Sequence, residues 1–173
     1  MIITIDVRVV LLDIQVRKMK KKDIPHVQYV AKTSWHATYD GIIPRNIQDD
    51  FLQEAYSKDA MKHRLKNSHF FVAESSGRII GFANYSLGDK DGKVELGAIY
   101  LLPEYQGKGA GTALLREGIE KLQSVREIHL NVEKNNNVGK KFYEAKGFEV
   151  VSEFDEDFAG HMLKTVRMAL TVE

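Results

Sequence analysis

Gln106-Gly107-Lys108-Gly109-Ala110-Gly111 is the stretch on which the reading of this chain turns. Before it, Val94 to Leu102 reads as a strand that Pro103 ends. After it, Gly111 to Leu122 reads as an amphipathic helix with Leu114, Leu115, Ile119 and Leu122 on one face. Glycines at alternate positions leave one side of the backbone bare, so successive N–H groups can converge on an anion without interference from Cβ atoms. The helix start adds its positive end, and Lys108 adds a full charge. A diphosphate is the natural guest.

Three other readings of the loop compete. A nucleoside triphosphate loop needs Gly, four residues, then Gly-Lys-Ser/Thr. Here Lys108 stands between glycines with no Ser or Thr after it, and that reading fails. A dinucleotide loop needs Gly-x-Gly-x-x-Gly. The third glycine comes one residue early, although Glu127 and Glu133 lie near the strand where a ribose-binding acid belongs. A flexible turn with no ligand is the plainest alternative.

Outward from the loop, the pattern alternates between strands and helices. Ile14 to Met19 is a short strand. Asp23 caps a helix with Pro25 in its first turn and an apolar stripe of Ile24, Val27, Val30, Ala31 and Trp35. Gly41 and Pro44 break it, and one or two short helices follow up to Lys66. Phe70 to Ala73 and Ile79 to Tyr85 form a hairpin around Gly77. Ile128 to Val132 is a strand, and Asn137 to Lys146 a helix stopped by Gly147. Phe148 to Val151 and Met162 to Val172 close the chain. This order predicts an α/β domain over residues 14–173, with a mixed, mostly antiparallel sheet of six or seven strands and four to five helices. Residues 1–13 read as an extra strand or ordered extension.

Composition narrows the function classes. The 173 residues are 43% hydrophobic, enough for a core. Charged residues make up 28% and leave a net charge of +1, so no basic field is present to hold nucleic acid. The run Arg17-Lys18-Met19-Lys20-Lys21-Lys22 reads as a solvated turn or a contact for an acidic partner. There are no cysteines, which excludes disulfides, thiolate metal sites and a Cys nucleophile. Their absence fits a reducing compartment, and a cytoplasmic location is expected. No apolar stretch approaches the roughly 20 residues of a membrane span, and the N-terminus lacks the marks of a signal peptide. No metal site is expected.

A second block makes the loop specific. Leu130-Asn-Val-Glu-Lys-Asn-Asn136 is followed by Phe142-Tyr143-Glu-Ala-Lys-Gly-Phe148. With Gln106-Gly-Lys-Gly-Ala-Gly111, which matches a Gln/Arg-x-x-Gly-x-Gly/Ala signature, and Glu95-Leu-Gly-Ala-Ile-Tyr-Leu-Leu-Pro-Glu-Tyr105 before it, this resembles the GNAT superfamily of N-acetyltransferases. The two blocks are independent, correctly ordered and correctly spaced, and the resemblance is strong from Val94 to Val150. One departure is Gly139, where the family usually carries Ala; it should loosen the helix start by under about 1 kcal/mol.

The resemblance implies acetyl-CoA as cofactor. It implies that Gln106, Gly107, Lys108, Gly109, Ala110, Gly111 and Thr112 hold the pyrophosphate. Ile99, Tyr100 and Leu101 would lie along the pantetheine arm, Ile99 and Leu101 by backbone hydrogen bonds. A bulge near Gly97 or Ala98 would splay this strand from its parallel neighbour at Ile128 to Val132, and Asn136 would contact the cofactor arm. Tyr143 matches the family tyrosine that faces the sulfur, an acid for the departing thiolate; otherwise it is a core aromatic. Glu95 is the candidate base, acting directly or through water, or else an exposed strand carboxylate. His129 and His161 are weaker candidates for the same task.

The acceptor is expected to be a primary amine of a small molecule, polyamine-like or otherwise. A protein or peptide amine is the alternative, as is a sensor that binds acyl-CoA without turnover. Trp35, Tyr39 and Asp40 are the candidate acceptor-binding residues, with Asp40 attracting a cation. Glu153, Asp155, Glu156 and Asp157 read as a charged turn that could draw in a polyamine. A homodimer through the C-terminal strands or the N-terminal extension is a further expectation.

Overall fold

In the computed structural model, which describes residues 13–172, the alternating and helical patterns become seven strands and five helices. They run β1 (Ile14–Lys18), α1 (Ile24–Tyr39), α2 (Arg45–Ala55), α3 (Lys58–Asn67), β2 (Ser68–Ser75), β3 (Arg78–Ser86), β4 (Lys93–Leu101), α4 (Ala110–Lys121), β5 (Glu127–Glu133), α5 (Asn137–Ala145), β6 (Glu149–Phe158) and β7 (His161–Thr171). The extension expected over residues 1–13 lies, up to residue 12, outside the described residues.

All strands join one sheet in the order β1-β2-β3-β4-β5-β7-β6. Every pairing is antiparallel except β4 with β5. That parallel pair is short, holding only Lys93–Glu127, Val94–Ile128 and Glu95–His129. Beyond Glu95 the two strands diverge. The register against β3 slips at the same place, because Tyr85 faces Leu96 while Asn84 faces Ala98. Gly97 is therefore the extra residue of a bulge. A one-residue insertion reverses which side chains face which side. Val94 and Leu96 join the core under α4, whereas Ala98 and Tyr100 point into the core under α1.

The sheet thus separates two hydrophobic cores. On one side α1 buries Val27, Val30, Ala31 and Trp35, spaced as one helical stripe. On the other, α4 buries Ala110, Leu114 and Leu115 against Ile80, Tyr85 and Ile128. Each such Val- or Leu-sized side chain contributes about 1.5–3 kcal/mol. α4 sits close on the sheet because it carries Gly118: a Cβ there would overlap the Tyr85 ring, whose hydroxyl donates to the Leu114 carbonyl.

Two expectations are corrected. Asp23 stands before α1, yet its side chain does not cap the helix. Its carboxylate accepts instead from Arg17 Nη1 (2.7 Å) and Nη2 (3.0 Å) and from the Lys20 N–H (2.7 Å). A guanidinium fork outcompetes the helix amides for it. The expected strand at Phe148 to Val151 instead runs from Glu149 to Phe158, and Glu153, Asp155, Glu156 and Asp157 lie on it rather than in a turn. β6 is an edge strand exposed on both sides, so nothing required apolar alternation. The turn is Ala159-Gly160, both with positive φ, as a tight two-residue hairpin needs. The Gly147 stop behaves as expected: it adopts φ 94, and Gly147 and Phe148 donate to Glu144 and Tyr143.

Candidate active site

The glycine loop lies between the end of β4 and the start of α4. Gly107 (φ 73) and Gly109 (φ 93) are both left-handed, and a Cβ on either would meet nothing within 4 Å. The glycines are needed for backbone shape, and the space above them is open. The first N–H of the α4 turn to find a carbonyl is that of Ala113, bonded to Gly109 at 3.0 Å. The amides of Ala110, Gly111 and Thr112 before it point free at the positive helix end. Gly111 has another task. Its helical position abuts the Phe142 ring, 3.1 Å from where a Cβ would stand, which locks α4 against α5. Lys108 reaches back over the Tyr105 ring, with Nζ 5.8 Å from its centroid.

Upstream, Ile99, Tyr100 and Leu101 lie on β4 past the bulge, paired with β3 on one edge and, among the described residues, with no strand on the other. An open strand edge beside a cluster of free amides fits a ligand with an extended, amide-bearing arm and a diphosphate, which is the chemistry of coenzyme A.

Aromatic residues close in on the gap where β4 leaves β5. Tyr39 ends α1, and its hydroxyl lies 3.4 Å from that of Tyr100. Trp35, one turn earlier, stacks on Phe51 and contacts Tyr39, Tyr100 and Phe158, with Nε1 buried and unpartnered among the described residues. Tyr143 comes from the opposite core, packed edge-on against Phe142 and Phe148. Burial raises the pKa of the Tyr143 phenol well above the ordinary tyrosine range, and nearby Tyr39 adds to the rise. Tyr39 and Tyr100 are raised for the same first reason. The three phenols from two cores therefore sense one another across the gap, and all keep their protons at neutral pH. Asn136, at the start of α5, uses Oδ1 to accept from the Gly139 N–H (3.0 Å). Glycine at 139 makes this fit, since a Cβ there would stand 2.7 Å from Asn136 Nδ2. A residue larger than Gly at 139 would therefore require the Asn136 side chain to shift.

The remaining candidates are each engaged in contacts of their own. Glu95 lies where the strands diverge, and both its carboxylate oxygens accept from Arg167, one at 3.2 Å. Arg167 also donates to Asn131 (3.0 Å), so it ties β4 to β5 and β7. Asp40, next to Tyr39 in the chain, is exposed and paired at 3.5 Å with Arg45. His161 bonds the Ile42 carbonyl (2.9 Å) and holds the hairpin to the loop after α1. His129 is engaged with Glu127 (2.8 Å).

One residue weighed only as a ribose acid stands at this site. Glu133 ends β5 and is 7% exposed. Its carboxylate is near enough to contribute to the raised pKa of Tyr39, after burial. The available signal was alternation: Ile128, Leu130 and Val132 face the α4 core, which turns Glu133 toward Tyr39.

Comparison with known proteins agrees with this geometry. Residues 32–148 match the acetyltransferase (GNAT) family. The chain is 32% identical over 155 residues to a spermidine N(1)-acetyltransferase of Thermoplasma acidophilum, a match covering 85% of this chain and 95% of that one. It is also 32% identical over 126 residues to a probable spermine N(1)-acetyltransferase of Bacillus subtilis subsp. natto, covering 66% and 83%. Among solved structures, the PaiA N-acetyltransferase from Thermoplasma acidophilum in complex with coenzyme A superposes with a TM-score of 0.80 at 29% identity, over 93% of this chain and 100% of that one. The diphosphate loop, the open strand edge and these matches lead to one conclusion: the chain belongs to the GNAT family of acetyltransferases and is an acetyl-CoA-dependent N-acetyltransferase.

Proposed function

We propose that the acceptor is a primary amine of a small, polyamine-like molecule, which attacks directly while both substrates are bound. The observation that carries this reading is the aromatic cluster of Trp35, Tyr39 and Tyr100, with Tyr100 on the part of β4 that has left β5. The relatives named for spermidine and spermine support the same class.

When bound, acetyl-CoA supplies the thioester carbonyl that the amine attacks. The amides of Gln106 to Thr112, with Lys108, hold its pyrophosphate. The backbone of Ile99, Tyr100 and Leu101 lines its extended arm. Asn136 orders the start of α5, which positions Tyr143 two turns further on. Tyr143 keeps a proton on Oη, available to the leaving group. The acceptor must shed its own proton, since an amine of pKa about 10.4 is roughly 0.04% neutral at pH 7. That proton leaves through water toward Glu95, which Arg167 holds in place.

The test is a panel of mono-, di- and polyamines together with peptides bearing a free N-terminus, assayed by mass detection of the product. Acetylation of small amines in preference to peptides is expected. Turnover of peptides alone, or of nothing despite acetyl-CoA binding, overturns the reading.

A further inference from the structure

Among the described residues two acids are buried, Asp23 and Glu133. They differ in one respect. Asp23 faces the Arg17 guanidinium at 2.7 Å. Glu133 has no cationic partner among the described residues. Its oxygens accept only from the Asn135 backbone N–H (2.6 Å) and the Asn135 Nδ2 (3.3 Å). A neutral acceptor would satisfy the geometry of both bonds, though each would be weaker. A buried carboxylate without a counter-charge is unfavourable, so the negative charge itself has no structural partner to explain it.

Its surroundings suit one kind of cation. Glu133 lies opposite Thr165 on β7, on the sheet face that carries Leu163 and Phe158 beneath α1. Thr165, also buried, donates to Glu156 at 2.9 Å, so a second carboxylate stands further along the same face toward solvent. On that side Tyr39 lies within electrostatic reach of Glu133 and meets Tyr100 hydroxyl to hydroxyl, and the buried Trp35 backs both rings. Aromatic faces receive methylene chains and attract alkylammonium groups, and a carboxylate at the end of such a wall fixes where the ammonium stops.

We infer that Glu133 is a specificity-determining residue that binds the second ammonium group of a di- or polyamine acceptor, whose methylene chain lies along Trp35, Tyr39 and Tyr100. This rests on the small-amine reading above and sharpens it: the acceptor carries two cationic ends, one reacting and one bound.

The experiment compares straight-chain α,ω-diamines of three to six carbons with the n-alkylamines of matching length. Both series are run with the wild-type enzyme, Glu133→Gln and Glu133→Asp, and diamine binding to the enzyme–coenzyme A complex is followed by calorimetry. Wild type should prefer the diamine by about tenfold or more in kcat/KM, carried by KM, as one ion pair of about 1.4 kcal/mol requires. In Glu133→Gln the ratio should fall to near one and calorimetric binding should weaken alike. Glu133→Asp, which withdraws the carboxylate by one methylene, should keep the preference and move it to a diamine one carbon longer. A wild type that treats both series alike overturns this inference while leaving the small-amine reading intact. So does a Glu133→Gln enzyme whose rates fall by one factor for both series, since that is the mark of a structural role. Failure of every amine in the presence of bound acetyl-CoA overturns both.

Discussion

The hydroxyl oxygens of Tyr39 and Tyr100 lie 3.4 Å apart, joining the last residue of α1 to a strand that has just left its parallel partner. Both phenols are raised in pKa first by burial. Tyr39→Phe should leave the Trp35 stack in place and remove this contact. The expected result is a loss of about 1 kcal/mol in thermal stability and a fall of about fivefold to tenfold in kcat/KM toward diamines. An unchanged rate in a folded variant would separate Tyr39 from the acceptor.

Tyr143 is held protonated by burial. If it supplies the proton for the leaving group, Tyr143→Phe should lower kcat by about a hundredfold or more, while the dissociation constant for acetyl-CoA stays nearly constant. The sign of the pH dependence follows from the raised pKa. The acid form persists above the ordinary tyrosine range, so the wild-type rate should climb toward pH 10 as the amine deprotonates, without an earlier falling limb. A descending limb centred below pH 9 would point to some other acid.

Glu95 shares its carboxylate with Arg167 at the point of strand divergence. Glu95→Gln keeps hydrogen-bond acceptance but removes a proton sink. A loss of about tenfold in kcat/KM is expected near pH 7. The deficit should shrink as pH approaches the amine pKa of about 10.4, where the acceptor sheds its proton unaided. A deficit that is constant across pH would assign Glu95 a purely structural link to Arg167.

Gly109 separates backbone shape from ligand space. At φ 93 any other residue costs about 1–2 kcal/mol, yet no protein atom stands where its Cβ would go. Gly109→Ala should fold and bind coenzyme A more weakly. If the loop holds the diphosphate, Gly109→Glu adds bulk and a negative charge beside it and should weaken binding by about a hundredfold or more in calorimetry. Equal affinities for wild type and Gly109→Glu would remove the loop from the cofactor site.

What sequence could reveal depended on how local each signal was. The loop and the Gly147 stop were legible because each is a backbone conformation written in one or two residues, whereas the bulge at Gly97 or Ala98 was implied by the family resemblance. β6 was truncated in the reading because an edge strand exposed on both faces has no apolar period to display. Asp23 was misassigned because its partners are Arg17 on β1 and the Lys20 amide, and a side-chain fork reaching back from a neighbouring strand leaves no trace in the run that follows Asp23. The contact between Asp40 and Arg45 is likewise not visible in the sequence, because the turn after Asp40 creates it. The burial of Glu133 is not legible in its own run, because it is decided by α1 and β7, distant in the chain on either side. Alternation could say which way it faced, but not what covered it.

The Asp23–Arg17 pair gives the clearest stability prediction. Arg17 forks between Asp23 and Glu74, joining the approach to α1 to β1 and β2. Hydrogen bonding from the guanidinium holds the Asp23 carboxyl below its usual range, against the opposing effect of burial. A carboxyl whose folded-state pKa is depressed stabilises the fold in full above its unfolded value of about 3.9 and loses that contribution as pH falls through the folded value. Asp23→Asn should therefore cost about 1.5–3 kcal/mol near pH 7, measured by denaturant unfolding. The gap between wild type and variant should narrow as pH is lowered from about 4 toward 2, because the wild type then gives up the same charge. Arg17→Met, which also strips Glu74 of its partner and leaves the Asp23 charge unpaired, should cost more than Asp23→Asn at pH 7 and recover part of that loss in acid. A gap that stays constant down to pH 2 would mean that the charge on Asp23 contributes nothing and that the variants lose packing alone.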